Sequence, residues 1–207
     1  MQTEAKAANF LCAKLIGRIL HDLAGPTSGL TSALDLLADA PGESLGREAL
    51  GLAQDGLGAL TARMVFGRAA YGGGDSSLFE RLLQTPFDNA RARMTGAHFP
   101  PGAPPMLAQA LLILSQISAE VLSSGGTAHM EISELPDGWH GLIEARGPRA
   151  RLHADTALGL AGQDLDGGLP GRWAPARYLH AIVSANGGSI AAEESDGAIT
   201  LSVIHPR

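Results

Sequence analysis

From residue 10 to about residue 40, apolar residues recur every three or four positions, which is the spacing of one face of an α-helix. Ala40-Pro41-Gly42 interrupts this pattern, and a second apolar stripe predicts another helix from about Ser44 to Ala70. Two such helices form an antiparallel hairpin that cannot enclose its own apolar surface. A second copy would complete a four-helix bundle, so we predict a homodimer. The stripe of the first helix consists of Leu11, Leu15, Ile19, Leu23, Leu30, Leu34 and Leu37, widened by Cys12, Ile16 and Leu20.

The pattern changes after Tyr71-Gly72-Gly73-Gly74-Asp75, which we interpret as a boundary between domains at 1–72 and 73–207. The second domain mixes helical and alternating segments, which predicts an α+β sandwich with helices on one face of a mostly antiparallel sheet. Its predicted helices are roughly Ser77–Arg93, Ala103–Leu122 and Ala174–Ala185, and its predicted strands are Ala128–Ser133, Trp139–Ala145, Ser189–Glu193 and Ala198–Ile204.

Composition narrows the function classes. The 207 residues carry a net charge of −6 with only 15 Lys and Arg, which disfavours binding to nucleic acid or to an anionic membrane. The lone cysteine, Cys12, excludes a disulfide framework and is interpreted as a small core residue of a cytoplasmic protein. No apolar run is long enough for a signal peptide or a membrane span. Six of the seven histidines are scattered without ligand spacing, so no metal or cofactor site is predicted.

The remaining histidine, His21, lies opposite the apolar stripe of the first helix and therefore faces solvent. Its neighbours one turn away on either side are Gly17 and Gly25, which leave the imidazole open to the close approach of another protein. This arrangement suits a phosphoryl acceptor, whose neutral imidazole must reach into a partner's active site. Asp22 can orient the ring by accepting a hydrogen bond from one of its nitrogens. The same face carries Lys14, Arg18 and Ser28 as candidate partner contacts, and the two cations can offset phosphoryl charge.

Three motifs resemble sensor histidine kinases. His21-Asp22-Leu23-Ala24-Gly25-Pro26 resembles the kinase phospho-acceptor box. The segment from Leu107 to Thr127 resembles the kinase helix that carries the asparagine box and enters a Gly-Gly-Thr turn. Leu179 to Glu193, with Asn186-Gly187-Gly188-Ser189-Ile190, resembles the last kinase helix and the strand after it. Their order and spacing cover nearly the whole chain.

The chain departs from the kinase pattern where kinases bind nucleotide. Ile113 and Ile117 occupy the positions of the asparagines that hold ATP and magnesium, and apolar side chains cannot coordinate a metal ion. Ala145 replaces the aspartate that reads adenine, and Arg149 replaces the second glycine of the same box. In the phosphate loop, Trp173 and Pro175 stand where the kinases have glycines. We therefore predict that nucleotide binding is lost and that the Gly-rich residues 159–171 are a shortened remnant of the ATP lid.

An acceptor hairpin joined to a kinase-like domain without an ATP site resembles the ChpT-type histidine phosphotransferases of alphaproteobacterial relays. The resemblance implies that the receiver domain of a hybrid histidine kinase supplies the phosphoryl group, with magnesium bound by the receiver. It also implies that response regulators accept the group from His21.

Alternatives remain open on the sequence. Arg146 and Arg149 belong to a basic cluster that either forms a solvated strand edge or docks an acidic receiver surface. The chain as a whole can also be a divergent active kinase, or a non-catalytic dimeric adaptor that sequesters response regulators.

Overall fold

Two long antiparallel helices, α1 over Gln2–Ala38 and α2 over Glu43–Tyr71, form the N-terminal hairpin, as predicted. The structure is a computed structural model and describes residues 2–39, 42–72, 76–88, 91–96, 98–165 and 167–207. The helices approach closely where Gly56 meets α1, because a Cβ added there would lie 3.2 Å from the backbone of Leu30. The domain boundary expected at 73–75 lies outside the described residues.

The rest of the chain forms a second unit, called here the C-terminal lobe. Its sheet has the strand order β1-β2-β3-β5-β4, with β1 parallel to β2 and every other pair antiparallel. This confirms the α+β architecture with a mostly antiparallel sheet. Its elements are α3 Phe79–Leu82, β1 Ala92–Gly96, α4 Pro105–Val121, β2 Gly126–Leu135, β3 Gly138–Arg146, α5 Ala154–Leu160, α6 Pro170–Ala185, β4 Ser189–Ser195 and β5 Ala198–Pro206.

The core of the lobe lies between α4 and one face of the sheet. On β3, Trp139, Gly141, Ile143 and Ala145 are buried, and the residues that alternate with them are more exposed, which is the pattern of a half-buried strand. Helix α4 is buried along nearly its whole length and fits tightly on this face. A Cβ at Gly141 would lie 2.6 Å from Leu111 Cδ2.

One expectation about secondary structure was wrong. Residues Ser77–Arg93 do not form one helix: short helical turns end near Pro86, and the chain then enters the edge strand β1. Proline lacks the amide hydrogen that continues a helix, which accounts for the break. Helix α5 was not predicted, and α6 begins at Pro170, within the Gly-rich residues 159–171.

Helix α1 divides its apolar residues between two surfaces. Leu15 is buried, and Leu11, Ile19 and Leu23 are partly buried toward the rest of the chain. By contrast, Ile16 and Leu20 are 57% and 61% exposed. Cys12 is exposed too, so its interpretation as a core residue was wrong.

Helix α6 joins the hairpin to the C-terminal lobe. Trp173 is buried in a cluster with Leu15 of α1, and its ring centroid lies 5.7 Å from that of Phe10. The Trp173 indole nitrogen donates to the Gln163 carbonyl at 2.9 Å, so its one polar atom is satisfied. On the second helix of the hairpin, the Ala70 carbonyl accepts a hydrogen bond from Gln109 of α4 at 3.0 Å. The lobe therefore contacts both helices of the hairpin.

The packing of α5 on α6 predicts a reversed sign for a helix substitution. Gly→Ala in an open helix stabilises by about 1 kcal/mol, and Gly29 of α1 has open space around it. At Gly159 the same methyl would lie 2.6 Å from the Trp173 carbonyl oxygen and 2.8 Å from Ala176 Cβ. We expect Gly159→Ala to lower the free energy of unfolding by about 1–3 kcal/mol and Gly29→Ala to raise it, both measured by urea denaturation. Equal stabilisation by the two variants would contradict this packing.

Candidate functional site

His21 stands in the open on α1, as its position on the helix predicted. Its side chain is 84% exposed. A Cβ added at Gly17 or at Gly25 would meet nothing within 4 Å, so the turn on either side of the imidazole is clear. Gly25 also precedes Pro26 inside the helix, a position where a larger residue would collide with the proline ring.

Two clefts flank His21, one on each side of α1. The α4 cleft has a volume of about 480 Å³ and lies between the hairpin and α4. The α6 cleft has a volume of about 570 Å³ and lies between α1 and the first turn of α6. Among the residues that the structure describes, only His21 and Arg18 line both clefts. The α4 cleft is otherwise lined by Asp22, Gly25, Arg63, Pro86, Gln116, Ala119, Glu120 and Ser123, and the α6 cleft by Ala13, Lys14, Gly17, Leu169, Pro170, Gly171 and Arg172.

Arg18 connects α1 to both α4 and α6. Its Nε donates to the two carboxylate oxygens of Asp22 at 3.0 and 2.9 Å. Its Nη1 donates to the Gly171 carbonyl at 2.9 Å and lies 2.7 Å from Glu120 Oε1. Two carboxylates thus already engage this guanidinium, which differs from the free cation expected beside the phosphoryl group.

The Asp22 carboxylate points toward Arg18 and α4 more than toward His21. Gln116 Nε2 donates to Asp22 Oδ2 at 3.4 Å, whereas Asp22 Oδ1 lies 3.5 Å from His21 Nδ1. This separation is at the limit of a hydrogen bond. The ring-orienting role of Asp22 stays a prediction, although the carboxylate is correctly placed on the Nδ1 side of the ring.

A second layer of hydrogen bonds supports Gln116. Tyr71, the last residue of α2, donates from its hydroxyl to Gln116 Oε1 at 2.5 Å. Burial raises the pKa of Tyr71, so this hydroxyl keeps its proton and remains a donor at physiological pH. Tyr178 of α6 in turn donates to the Tyr71 carbonyl at 3.1 Å.

Sequence reasoning missed three residues of the α4 cleft: Arg63, Gln116 and Glu120. Gln116 and Glu120 are four residues apart on a helix that is otherwise mostly apolar, and this spacing was a usable signal. Arg63 lies on α2, 42 residues after His21, and no local pattern marks it. It is the cationic side chain that α2 contributes to the α4 cleft.

The other predicted contacts are placed differently. Lys14 lines the α6 cleft with its ammonium 5.0 Å from the centroid of the Phe10 ring. Ser28, Arg146 and Arg149 are exposed, and among the described residues none of the three lines either cleft. Arg146 is held at the end of β3 by Glu144, at 2.5 and 3.0 Å. Their roles as partner contacts stay predictions.

The positions that resemble a kinase nucleotide site are filled. Ile113 and Ile117 are buried in the core beneath the sheet, and Ala145 is buried on β3. Trp173, which replaces a loop glycine, lies within α6 and packs against α1. The loss of nucleotide binding at these positions stays a prediction.

In the part of the chain that the structure describes, no three His, Cys, Asp or Glu side chains are grouped so that they could hold a metal ion. No helix in that part has the length and hydropathy that crossing a bilayer requires.

Comparison with known proteins agrees with this architecture. A family model described as the histidine phosphotransferase C-terminal domain matches residues 79–198, more than half of the chain. No curated protein matches the chain.

Among solved structures, a bacterial phosphotransferase determined at 1.7 Å matches with a TM-score of 0.79 at 20% identity, covering 95% of this chain and 96% of that one. The Acinetobacter baumannii histidine kinase AdeS matches at a TM-score of 0.46 and 15% identity, covering 90% of this chain and 97% of that one.

The phosphotransferase match extends over the hairpin as well as the lobe, so the two chains share a fold from end to end. The family match rests on the lobe, over residues 79–198. The chain belongs to the histidine phosphotransferase family, and its recognition as a ChpT-type phosphorelay protein is confirmed.

Proposed function

We propose that this chain relays a phosphoryl group through His21, from the receiver domain of a hybrid histidine kinase to response regulators in the cytoplasm, and that it binds no ATP. The observation that carries the proposal is the placement of His21. Its side chain is 84% exposed between two clefts, with glycines one turn away on either side. A receiver's aspartyl phosphate lies in a recess, so an acceptor must protrude to reach it.

The proposed transfer is a phosphoryl exchange between an oxygen and a nitrogen. His21 Nε2 attacks the phosphorus of the aspartyl phosphate, the P–N bond forms, the P–O bond to the aspartate breaks, and the receiver regains its carboxylate. Asp22 on the Nδ1 side favours the tautomer in which Nε2 carries the lone pair. A magnesium ion bound by the receiver offsets charge on the phosphoryl oxygens, and this chain supplies alignment. The reverse sequence passes the group to a second receiver.

The first experiment distinguishes the proposed relay from the two alternatives, a divergent active kinase and a non-catalytic adaptor. Wild-type protein and His21→Ala are incubated with a ³²P-phosphorylated receiver domain, and in parallel with labelled ATP and magnesium. We expect acid-labile, base-stable label on wild type alone, and only from the receiver, because phosphohistidine has that lability. Label from ATP would establish a kinase. If the protein binds the receiver but carries no label after either incubation, the result would support the non-catalytic adaptor.

A substitution at Gly17, one helical turn before His21, is predicted to raise the stability of the protein while slowing phosphoryl transfer. Gly17 is exposed with nothing within 4 Å of an added Cβ, so Gly17→Leu should stabilise α1 by about 1 kcal/mol through helix propensity. The same side chain narrows the α6 cleft beside the imidazole. We expect a higher urea midpoint together with transfer from the receiver about tenfold slower or more. Wild-type transfer by a stabilised Gly17→Leu would show that the receiver does not need this turn open.

The homodimer is proposed on the unpaired apolar surface of the hairpin. Leu50, Leu57 and Met64 follow each other at seven-residue spacing on α2 and are 47%, 54% and 54% exposed. On α1, Ile16 and Leu20 are exposed as well. Burying two such stripes against a second copy would complete a four-helix bundle.

The predicted dimer can be tested by placing a charged side chain in its proposed interface. We expect wild type to be dimeric by light scattering at tens of micromolar, and Leu57→Lys to be monomeric because a lysine would be buried in the bundle. Ile204→Lys is the matched control, since Ile204 is an exposed apolar residue on β5 in the lobe. A monomeric wild type, or a dimeric Leu57→Lys, would contradict the bundle.

A further inference from the structure

Helices α1 and α4 meet through four polar side chains, called here the α1–α4 polar contact: Arg18, Asp22, Gln116 and Glu120. Each helix contributes two residues one turn apart, and the pairs face each other across the α4 cleft. Arg18 lies 2.7 Å from Glu120, and Gln116 reaches Asp22 at 3.4 Å. The side chains of Arg18 and Glu120 are only 18% and 20% exposed.

Folding disfavours the charged form of Glu120. Burial raises the pKa of Glu120 above its ordinary value, even though Arg18 and the nearby Arg172 act against that shift. Against the effect of burial, Glu120 and Asp22 raise the pKa of Arg18, and a guanidinium is charged at any physiological pH, so the carboxylate is the side that titrates. A folded-state pKa above the unfolded one means that stability from Glu120 is full at low pH and is lost as the pH rises through the folded pKa. Buried ion pairs often contribute little net stability, because the cost of desolvation offsets their attraction.

The geometry of the contact indicates a role besides net stability. Asp22 adjoins His21 in the chain and Arg18 precedes it by less than one turn, so the contact holds the segment that carries the imidazole. Arg18 also lines both clefts and donates to Gly171 at the first turn of α6. Any movement of α4 away from α1 would therefore change the distance between His21 and the lobe in both the α4 cleft and the α6 cleft.

We propose that Glu120 and Gln116 are positioning residues for phosphoryl transfer: they fix the C-terminal lobe at a set distance from His21, so that a receiver domain meets both as one preformed surface. The inference rests on the proposed function. It assigns to α4, the helix that resembles the nucleotide-binding helix of kinases, the task of holding the acceptor helix. Misplacement of reacting groups by about 1 Å can cost about a hundredfold in rate, so small shifts at this contact have a measurable effect.

The experiment measures transfer and stability on the same variants. Single-turnover transfer from a ³²P-phosphorylated receiver is followed over a range of receiver concentrations, which separates the rate at saturation from the half-saturating concentration. Urea unfolding is measured in parallel. The variants are Glu120→Gln, which removes the charge, and Glu120→Lys, which repels Arg18 and Arg172. Glu134→Gln is the control, because it breaks an exposed ion pair with Arg207 in the lobe that touches neither cleft.

We expect Glu120→Gln to unfold at the wild-type urea concentration or above it, since a buried charge is removed. At saturating receiver we expect transfer to be about fivefold slower in Glu120→Gln and about fiftyfold slower in Glu120→Lys, because alignment is lost. Glu134→Gln should transfer like wild type.

The other outcomes each decide the question. Wild-type saturating rates in both Glu120 variants would overturn the positioning role while leaving the relay through His21 intact. Parallel losses of stability and rate in Glu120→Gln would make the contact merely structural and also overturn it. Failure of wild type to accept label from any receiver would instead remove the proposed function on which the inference rests.

Discussion

The hairpin depends on an external surface to cover α1, and the first turn of α6 supplies part of it. Trp173 lies against Leu15 and Phe10 of α1, and Arg18, one turn further along, donates to the Gly171 carbonyl. An apolar contact and a polar one therefore fix the same stretch of α1 from the same side. His21 follows directly after this stretch, so its surroundings are set by the lobe as much as by the hairpin. This explains how a largely exposed side chain can have a defined environment. The contacts with α6 fix the backbone of α1 next to His21, and only the imidazole projects into solvent.

The same packing accounts for the altered kinase-like positions. In a nucleotide site, small and polar residues leave room for a ligand that stabilises the protein only while it is bound. Here Ile113, Ile117 and Ala145 fill the core instead, and Trp173 gives its bulk to the interface with α1. Apolar burial stabilises by about 25 cal/mol per Å² without any ligand. The apolar packing of the lobe thus supports the hairpin without a bound ligand, in agreement with the proposal that the chain binds no ATP.

Much of this fold was predictable because the strongest signals are periodic. The helices α1, α2 and α4 and the strands β2, β3 and β5 follow long apolar patterns. Their boundaries differ from the predicted ones by only a few residues, except that α1 begins at Gln2, eight residues before its predicted start. The segment 77–93 failed because Phe79, Leu82 and Leu83 continue a helical spacing into Pro86, and β1 is too short to show its own alternation. Helix α5 was not predicted because its seven residues are too few to show a clear apolar period.

The parts of the candidate site that could be predicted are those whose residues lie close together in the sequence. His21, Gly17 and Lys14 share one helix face, so helical geometry alone places them together. The residues of the α4 cleft that lie outside α1 follow His21 by 42 to 102 positions, and tertiary packing brings them to it. Arg18 shows the limit most clearly. Its helix position indicates a cation beside the histidine, and it does lie there, but Glu120 and Asp22 engage its charge. A single sequence shows the helix face on which a charge lies, whereas the partner of that charge is set by the tertiary fold. The same holds for Arg63 of α2, which lines the α4 cleft although no local pattern in the sequence places it there.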